Sequence, residues 1–218
     1  MNRIKMKKQF IFSIIIFVFG LTSIFAQEIS IGADVVSRYI WRGVDFGNSP
    51  AVQPALELSA GDFTVGSCGS YSIGKSDSGF GGLNEHDLYL SYNFGPVSIG
   101  VTDYYYPGAA GFFTFDADYN HVIEPYISYS GVISASLYMN ALNDPDNSMY
   151  LELGYDLEVS EVELSLFAGA ALSESVWYAT DGAALISAGV TASKDNISVS
   201  YIINPDLEDT YLVFTYSF

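Results

Sequence analysis

The residues best suited to chemistry in this sequence are charged side chains at the polar positions of segments in which apolar and polar residues alternate. Eight are carboxylates and two are guanidinium groups, namely Asp34, Glu57, Glu85, Asp87, Glu124, Glu152, Asp156 and Glu163, with Arg38 and Arg42. If the segments enclose a passage, its wall is mostly anionic and favours cations. The two arginines either pair with neighbouring carboxylates and brace a filled interior or form a selectivity constriction, and the sequence leaves both interpretations open.

Catalysis by a serine nucleophile would need a nearby base, for which the sequence offers His86 and His121. Each histidine alternates in phase with leucine or isoleucine residues, so both are predicted on the apolar side of their segments. No serine stands two residues from either histidine on the same face. We therefore predict no catalytic residues and no enzymatic activity.

Metal or cofactor chemistry is not indicated either. Acidic residues cluster in predicted loops such as 144–147, but none has the full spacing of a calcium loop, and Asp, Asn and Pro are what turns require. Cys68 shares parity with Thr64 and Ser70 and is predicted to be a small buried residue without a redox role. We predict no metal site and no cofactor.

The composition excludes several classes of protein. The 218 residues include 25 Asp and Glu but 8 Lys and Arg, for a formal net charge of −17, so the chain lacks the basic footprint of a nucleic-acid binder. Half of the residues are hydrophobic, which argues against intrinsic disorder. One cysteine excludes a disulfide scaffold.

The first 26 residues are typical of a secretory signal peptide. Arg3, Lys5, Lys7 and Lys8 precede an apolar, uncharged run from Phe10 to Ala26. Cleavage after residue 26 would leave 8 − 4 = 4 basic residues against 25 acidic ones, a net charge of −21. The sequence thus predicts a signal peptide over 1–26 and one mature domain over 27–218.

The mature chain alternates apolar and polar residues with the period of β-strands. About twelve such segments can be counted, near 28–43, 52–60, 62–74, 84–95, 97–106, 120–130, 132–142, 149–159, 162–173, 183–193, 197–204 and 210–218. Tight turns alternate with longer loops at 44–51, 75–83, 107–119, 143–148, 174–182 and 205–209. Most segments have the roughly 9–11 residues that a tilted strand needs to cross a bilayer, and this alternation is typical of outer-membrane barrels.

A soluble β-sandwich would also alternate, but two features favour the membrane barrel. The apolar faces carry almost no charge, and the mature chain has few of the Lys and Arg residues that exposed sheet faces usually show. The chain also ends with Phe214, Tyr216 and Phe218 at alternate positions, which resembles the C-terminal signal read by the barrel-assembly machinery. We predict an all-β, antiparallel, up-and-down transmembrane barrel of about twelve strands in contact with outer-membrane lipid.

Residues 36–57 resemble the opening of the TorF-type porin family of Gram-negative outer membranes. The shared pattern is a Ser-x-Tyr-x-aromatic-Arg-Gly segment followed by Pro-Ala-Val-Gln, on Ser37, Tyr39, Trp41, Arg42, Gly43 and 50–53. Stretches at 84–92 and 103–108 are also similar to the family, whereas Arg38 replaces its usual Asp. The resemblance, over roughly 30–110, implies an outer-membrane barrel with a pore but no defined substrate.

About twelve strands lie between the roughly eight of a filled barrel and the sixteen or more of an open channel. Five tyrosines with inward parity would narrow the lumen further: Tyr89, Tyr104, Tyr106, Tyr126 and Tyr138. The expected function is therefore passive passage of small cationic or neutral solutes. The alternative is a non-conducting structural or adhesive barrel whose loop 107–119 contacts a partner. The sequence does not indicate an oligomeric state.

Overall fold

The computed structural model describes residues 27–74, 84–107, 111–115 and 120–218. Within these ranges the chain forms fourteen strands, of which twelve close into an antiparallel barrel, so the predicted fold is confirmed. No helix in the described ranges has the length and apolar character needed to span a membrane. The predicted signal peptide, residues 1–26, lies outside the described residues.

The strands follow the barrel wall in chain order. They are β1 (Gln27–Val36), β2 (Ile40–Trp41), β3 (Val44–Asp45), β4 (Ala51–Ala60), β5 (Phe63–Ser72), β6 (Glu85–Phe94), β7 (Val97–Tyr105), β8 (His121–Tyr129), β9 (Ser134–Met139), β10 (Met149–Val159), β11 (Val162–Ala171), β12 (Ala184–Lys194), β13 (Ile197–Asn204) and β14 (Asp209–Ser217). Strand β1 closes the wall by pairing with both β4 and β14, whereas β2 and β3 form a separate short hairpin.

Alternation along each strand separates an apolar outer surface from a polar interior. In β6, Leu88 and Leu90 are 40% and 44% exposed, whereas Glu85 and Asp87 on the opposite face are 3% and 5% exposed. The last residues of the chain follow the same rule, because Phe214, Tyr216 and Phe218 are all exposed on the outside. Such an outer surface is compatible with an outer-membrane protein.

The connections differ in length at the two ends of the barrel. Short turns occur at 61–62, 95–96, 130–133, 160–161 and 195–196, and we call this the turn end. The other end carries 37–50, 140–148, 172–183 and 205–208, together with the described parts of the connections that follow β5 and β7, and we call it the loop end. The predicted alternation of turns with loops is therefore present around the barrel, although the first loop begins earlier than predicted.

That early start corrects the predicted strand over 28–43. Strand β1 ends at Val36, and residues 37–50 leave the wall and fold into the lumen. At the end of the strand, Ser37 donates its N–H to the Phe214 carbonyl at 2.8 Å, and its hydroxyl accepts the Phe214 N–H at 2.9 Å. The alternation breaks at the same point, because apolar Val36 faces inward and polar Ser37 follows it.

Candidate functional site in the barrel lumen

Two loops fold into the loop end of the barrel and fill that part of its interior. They are residues 37–50 and residues 172–183, which we together call the plug. The plug core is a buried cluster that joins these loops to the wall. It comprises Phe46, Trp177 and Tyr178 of the plug, Tyr106 directly after β7, and the strand residues Val122, Tyr150, Ala171 and Ile186. Tyr150, Tyr178 and Ile186 are at most 1% exposed, so the plug leaves little free space around them.

The plug is fixed to the wall by a buried ion pair between Arg42 and Glu124. Arg42 NH1 donates to Glu124 Oε2 at 2.5 Å, and NH2 donates to Oε1 at 2.9 Å, which makes the contact bidentate. The two side chains are 7% and 0% exposed. Tyr104 also donates its hydroxyl to Oε1, at 2.9 Å, and so holds the carboxylate in place. Charge-assisted bidentate contacts of this kind are among the strongest hydrogen bonds in proteins.

Aromatic rings surround the guanidinium group. Its Cζ atom lies 4.2 Å from the ring centroid of Tyr138, 4.5 Å from Trp41, 4.6 Å from Tyr150 and 5.6 Å from Tyr178. Arg42 NH1 also donates to the Tyr178 hydroxyl at 2.6 Å. A desolvated cation held within about 6 Å of a ring face gains about 2 kcal/mol or more. The rings therefore supply part of the solvation that Arg42 loses on burial.

The electrostatics of the plug keep Arg42 charged. Burial lowers the pKa of its guanidinium, but Glu124, Tyr178 and Tyr104 together more than offset that effect, and the pKa is raised overall. Burial raises the pKa of the Tyr39 phenol well above its usual value, and the nearby Glu85 carboxylate raises it further. Tyr39 therefore stays protonated and donates its hydroxyl to Glu85 Oε1 at 2.8 Å.

Contacts from residues 39–43 reach strands all around the barrel. Tyr39 bonds Glu85 on β6, and Trp41 packs edge-on against Tyr104 on β7, with 5.7 Å between ring centroids. Arg42 contacts side chains on β8, β9 and β10. On the far side, the Gly43 carbonyl accepts a hydrogen bond from the side-chain amide of Asn204, at the end of β13. A loop that touches these strands together spans the lumen.

Gly43 is needed where the plug meets β12. Its φ is +79°, and an added Cβ would lie 1.9 Å from the Ile186 carbonyl oxygen. A register shift between Gly169 and Ala170 of β11 inserts Ile186 as an extra residue of β12, and Ile186 is completely buried. Bulges re-aim side chains in this way. Here the bulge brings both the side chain and the carbonyl of Ile186 against the plug.

The loop 172–183 is held inward by its neighbour, the loop 140–148. The hydroxyls of Ser148 and Ser175 lie 2.6 Å apart in a buried contact, and the Ser175 hydroxyl accepts the Tyr178 N–H at 3.0 Å. Asp146 accepts the Val176 N–H at 2.9 Å. These bonds orient Tyr178 and Trp177 toward the lumen independently of Arg42.

The structure places the eight predicted carboxylates on the inward-facing side of their strands, but at different depths. Glu85, Asp87 and Glu124 are buried beside the plug, Asp34, Glu57 and Glu152 are half-buried, and Asp156 and Glu163 are exposed near the turn end. Of these eight carboxylates, Glu124 makes an ion pair with Arg42, and the other seven make none with a described residue. The Asp87 Oδ1 atom is buried and accepts no hydrogen bond from a described residue.

The alternation over 28–43 predicts both arginines on one strand, but in the structure they do not lie together. Arg38 is 38% exposed and pairs with Asp45 at 3.4 Å, and it also donates to Asn48, whereas Arg42 alone enters the lumen. The alternation over 28–43 also predicts Tyr39 and Trp41 on the outer, apolar face of that strand, and this is wrong, because both pack against the plug core. These errors share one cause, because the alternating pattern of β1 continues in the sequence through residues that leave the wall.

Both histidines lie on the outward-facing side, but neither is a simple surface residue. His121 is completely buried, with Nδ1 2.8 Å from Asp103 Oδ1 and Nε2 2.7 Å from the Phe112 carbonyl. His86 Nε2 lies 3.4 Å from the Ser67 hydroxyl, which the fold brings near from the neighbouring strand. Spacing along the sequence could not find that cross-strand contact.

Several plug residues were not predicted from the sequence. Trp177, Tyr178 and Ser175 lie in a segment predicted as a plain loop, and Asn204 lies at a strand end. The signals that point to the plug are weak: a break in alternation at Val36 and an Arg-Gly pair after an aromatic residue.

Glu158 is a further inward-facing carboxylate, directly opposite Glu163.

These features define a closed twelve-stranded antiparallel barrel with an internal loop plug. The model of a bacterial family described as a protein of unknown function, Gcw_chp, matches residues 22–216. The chain belongs to this family. No curated protein and no solved structure matches it.

Gly43→Ala should displace the plug while leaving the barrel folded. A left-handed φ costs roughly 1–2 kcal/mol for a residue with a Cβ, and the clash with the Ile186 carbonyl adds to this. Trp41 lies in residues 37–50 and Trp177 packs in the same buried cluster, so displacement of residues 37–50 should expose both rings and shift intrinsic fluorescence to longer wavelength. Gly95→Ala is the matched control, because Gly95 also has positive φ but no neighbour within 4 Å. Unchanged Gly43→Ala emission would contradict the plug geometry.

Proposed function

We propose that the protein is an outer-membrane channel for small cationic or neutral solutes, closed at rest by its inward-folded loops. The observation that carries the proposal is the Arg42–Glu124 contact, which is the ion pair between the lumen-spanning loop and the wall in the described part of the chain. A loop held by one dominant contact can be released as a unit. The closed barrel supplies the conduit, and the plug supplies the gate.

Placement in the outer membrane is supported by the outer surface and by two sequence patterns. Exposed apolar residues alternate around the wall, among them Ile31 at 78% and Leu56 at 51% exposure. The signal-like segment 1–26 supports export, and the outward-facing aromatic residues Phe214, Tyr216 and Phe218 support recognition by the barrel-assembly machinery. The similarity of residues 36–57 to TorF-type porins supports the same location.

The charge of the lumen supports a preference for cations. Glu57 and Glu152 face inward without a basic partner in the described part of the chain. Carboxylates in a narrow interior act through a lower effective dielectric than those in bulk water, so passing ions sense them strongly. When the plug is displaced, Arg42 leaves Glu124, and the wall becomes more anionic still.

A non-conducting structural or adhesive barrel is the alternative, and the filled interior favours it. Tyr150, Tyr178 and Ile186 are packed as tightly as a protein core, which suits a permanent plug. The two functions differ in one respect, namely whether the plug can move without unfolding the barrel. Weakening the Arg42–Glu124 contact separates them.

Arg42→Ala should convert a mostly closed barrel into a conducting one. Removing one partner of a buried ion pair costs about 3–5 kcal/mol, so the open fraction in planar bilayers should rise about a hundredfold or more. Reversal potentials of the open state should show cation preference that weakens with salt, because the screening length falls from about 30 Å at 0.01 M to about 3 Å at 1 M.

Arg38→Ala is the matched control, because Arg38 is half-exposed and contacts Asp45 rather than the lumen wall. It should leave the conductance at the wild-type level. Folding of both variants is checked by the shift in gel mobility between heated and unheated samples. If Arg42→Ala folds but shows no conductance at any salt concentration, the channel proposal fails and the non-conducting barrel stands. Anion preference would contradict the charge argument.

A pair of exposed valines tests the location and the orientation together. Val176 lies at the loop end and is 56% exposed, and Val132 lies at the turn end and is 84% exposed. In a Cys68→Ser background, a membrane-impermeant maleimide should label Val176→Cys on intact cells and should label Val132→Cys after lysis. The reason is that the long loops of outer-membrane barrels face the exterior. Equal labelling of both sites on intact cells would overturn the topology.

A further inference from the structure

The Arg42 side chain occupies a site that is built for a guanidinium group and is mostly supplied by the rest of the barrel. Glu124 on β8 provides the two acceptor oxygens, Tyr138 on β9 and Tyr150 on β10 provide ring faces, and Tyr178 provides a ring and an acceptor hydroxyl. Of the groups around the guanidinium, Trp41 alone belongs to the same loop as Arg42. Withdrawal of residues 37–50 would therefore leave most of the site standing.

We propose that this site binds the guanidinium group of a small external solute in place of Arg42, so that Arg42 acts as a built-in competitor that keeps the barrel closed. The inference rests on the proposed function, because it names the class of solute that the channel takes. A guanidinium ion has two parallel N–H donors in one plane for Glu124 and a flat face that stacks on the rings, and an ammonium ion has neither.

The carboxylate would remain in position after Arg42 leaves. Tyr104 donates its hydroxyl to Glu124 Oε1 at 2.9 Å, and Tyr104 belongs to β7 rather than to the plug. The loop that carries Tyr178 is held by the Ser148–Ser175 contact of 2.6 Å, which does not involve Arg42. The vacated site thus keeps one oriented anion and several ring faces, and no basic side chain among the described residues neutralises that anion. A cation is the species that it would recruit.

Competition with a tethered group sets the concentration at which a solute can act. A side chain on a short flexible loop has an effective concentration in the millimolar range or above. A free guanidinium compound must therefore reach millimolar levels to displace Arg42 in the wild-type barrel. Because binding and plug release are linked, such a compound should also raise the open fraction.

Methylguanidinium chloride is the probe, and methylammonium chloride at equal concentration is its control. In Arg42→Ala the probe should bind with a dissociation constant in the low millimolar range, as measured by isothermal titration calorimetry. Methylammonium should bind at least tenfold more weakly. Glu124→Gln in the same background should remove the difference between the two compounds, because one charged acceptor is lost.

Two further measurements separate this inference from the channel proposal. If Arg42→Ala conducts but binds methylguanidinium no better than methylammonium, the site inference is overturned and the channel stands. If Arg42→Ala binds methylguanidinium selectively but never conducts, the channel fails and the site stands. Should Arg42→Ala not fold, a Trp177→Phe barrel with Arg42 intact decides. Millimolar methylguanidinium should increase the quenching of its Trp41 fluorescence by acrylamide, and methylammonium should not. Equal quenching with both compounds would overturn the inference.

Discussion

The burial of one guanidinium group against one carboxylate is the interaction on which the interior of this barrel depends. Desolvating two charges costs several kcal/mol per ion, and a well-formed contact between them offsets that cost when their remaining polar atoms are also satisfied. Arg42 and Glu124 meet this condition through a bidentate contact, the Tyr104 and Tyr178 hydroxyls, and the surrounding rings. Displacing either partner leaves an unpaired charge inside the wall, so the pair fixes the position of the whole loop.

The rest of the loop end is arranged around that pair. The bulge at Ile186 and the left-handed backbone at Gly43 allow the chain to approach β12 closely enough for Arg42 to reach across the lumen. Tyr39 and Asn204 satisfy polar groups on either side of the contact. None of these features is needed to build a closed wall, because neighbouring strands already satisfy its backbone. They are needed to hold a loop inside it.

The wall could be predicted from the sequence, whereas the plug could not. The wall is visible in the sequence because its patterns depend on neighbouring residues along one strand, where each residue faces one side of the sheet or the other. These patterns are the strand period, the turn spacing and the alternating aromatic residues Phe214, Tyr216 and Phe218. The partner of Arg42 is set by closure of the barrel, which brings Glu124 within reach across 82 positions of sequence. The pattern even misleads at Tyr39 and Trp41, because alternating aromatic residues in a loop resemble a strand. Only the break at Val36 and the glycine at position 43 distinguish the two.

The most direct test of the account is fluorine NMR of the folded barrel labelled with 5-fluorotryptophan, with the two resonances assigned by Trp41→Phe. Trp41 packs against Phe46, Tyr104 and Tyr178, with ring centroids 5.4–5.7 Å apart. Its resonance should therefore be displaced from the position of free fluorotryptophan, and should move to that position when Glu124→Gln weakens the ion pair. A narrow wild-type Trp41 resonance already at the free position would show that residues 37–50 do not occupy the lumen, and would contradict the account.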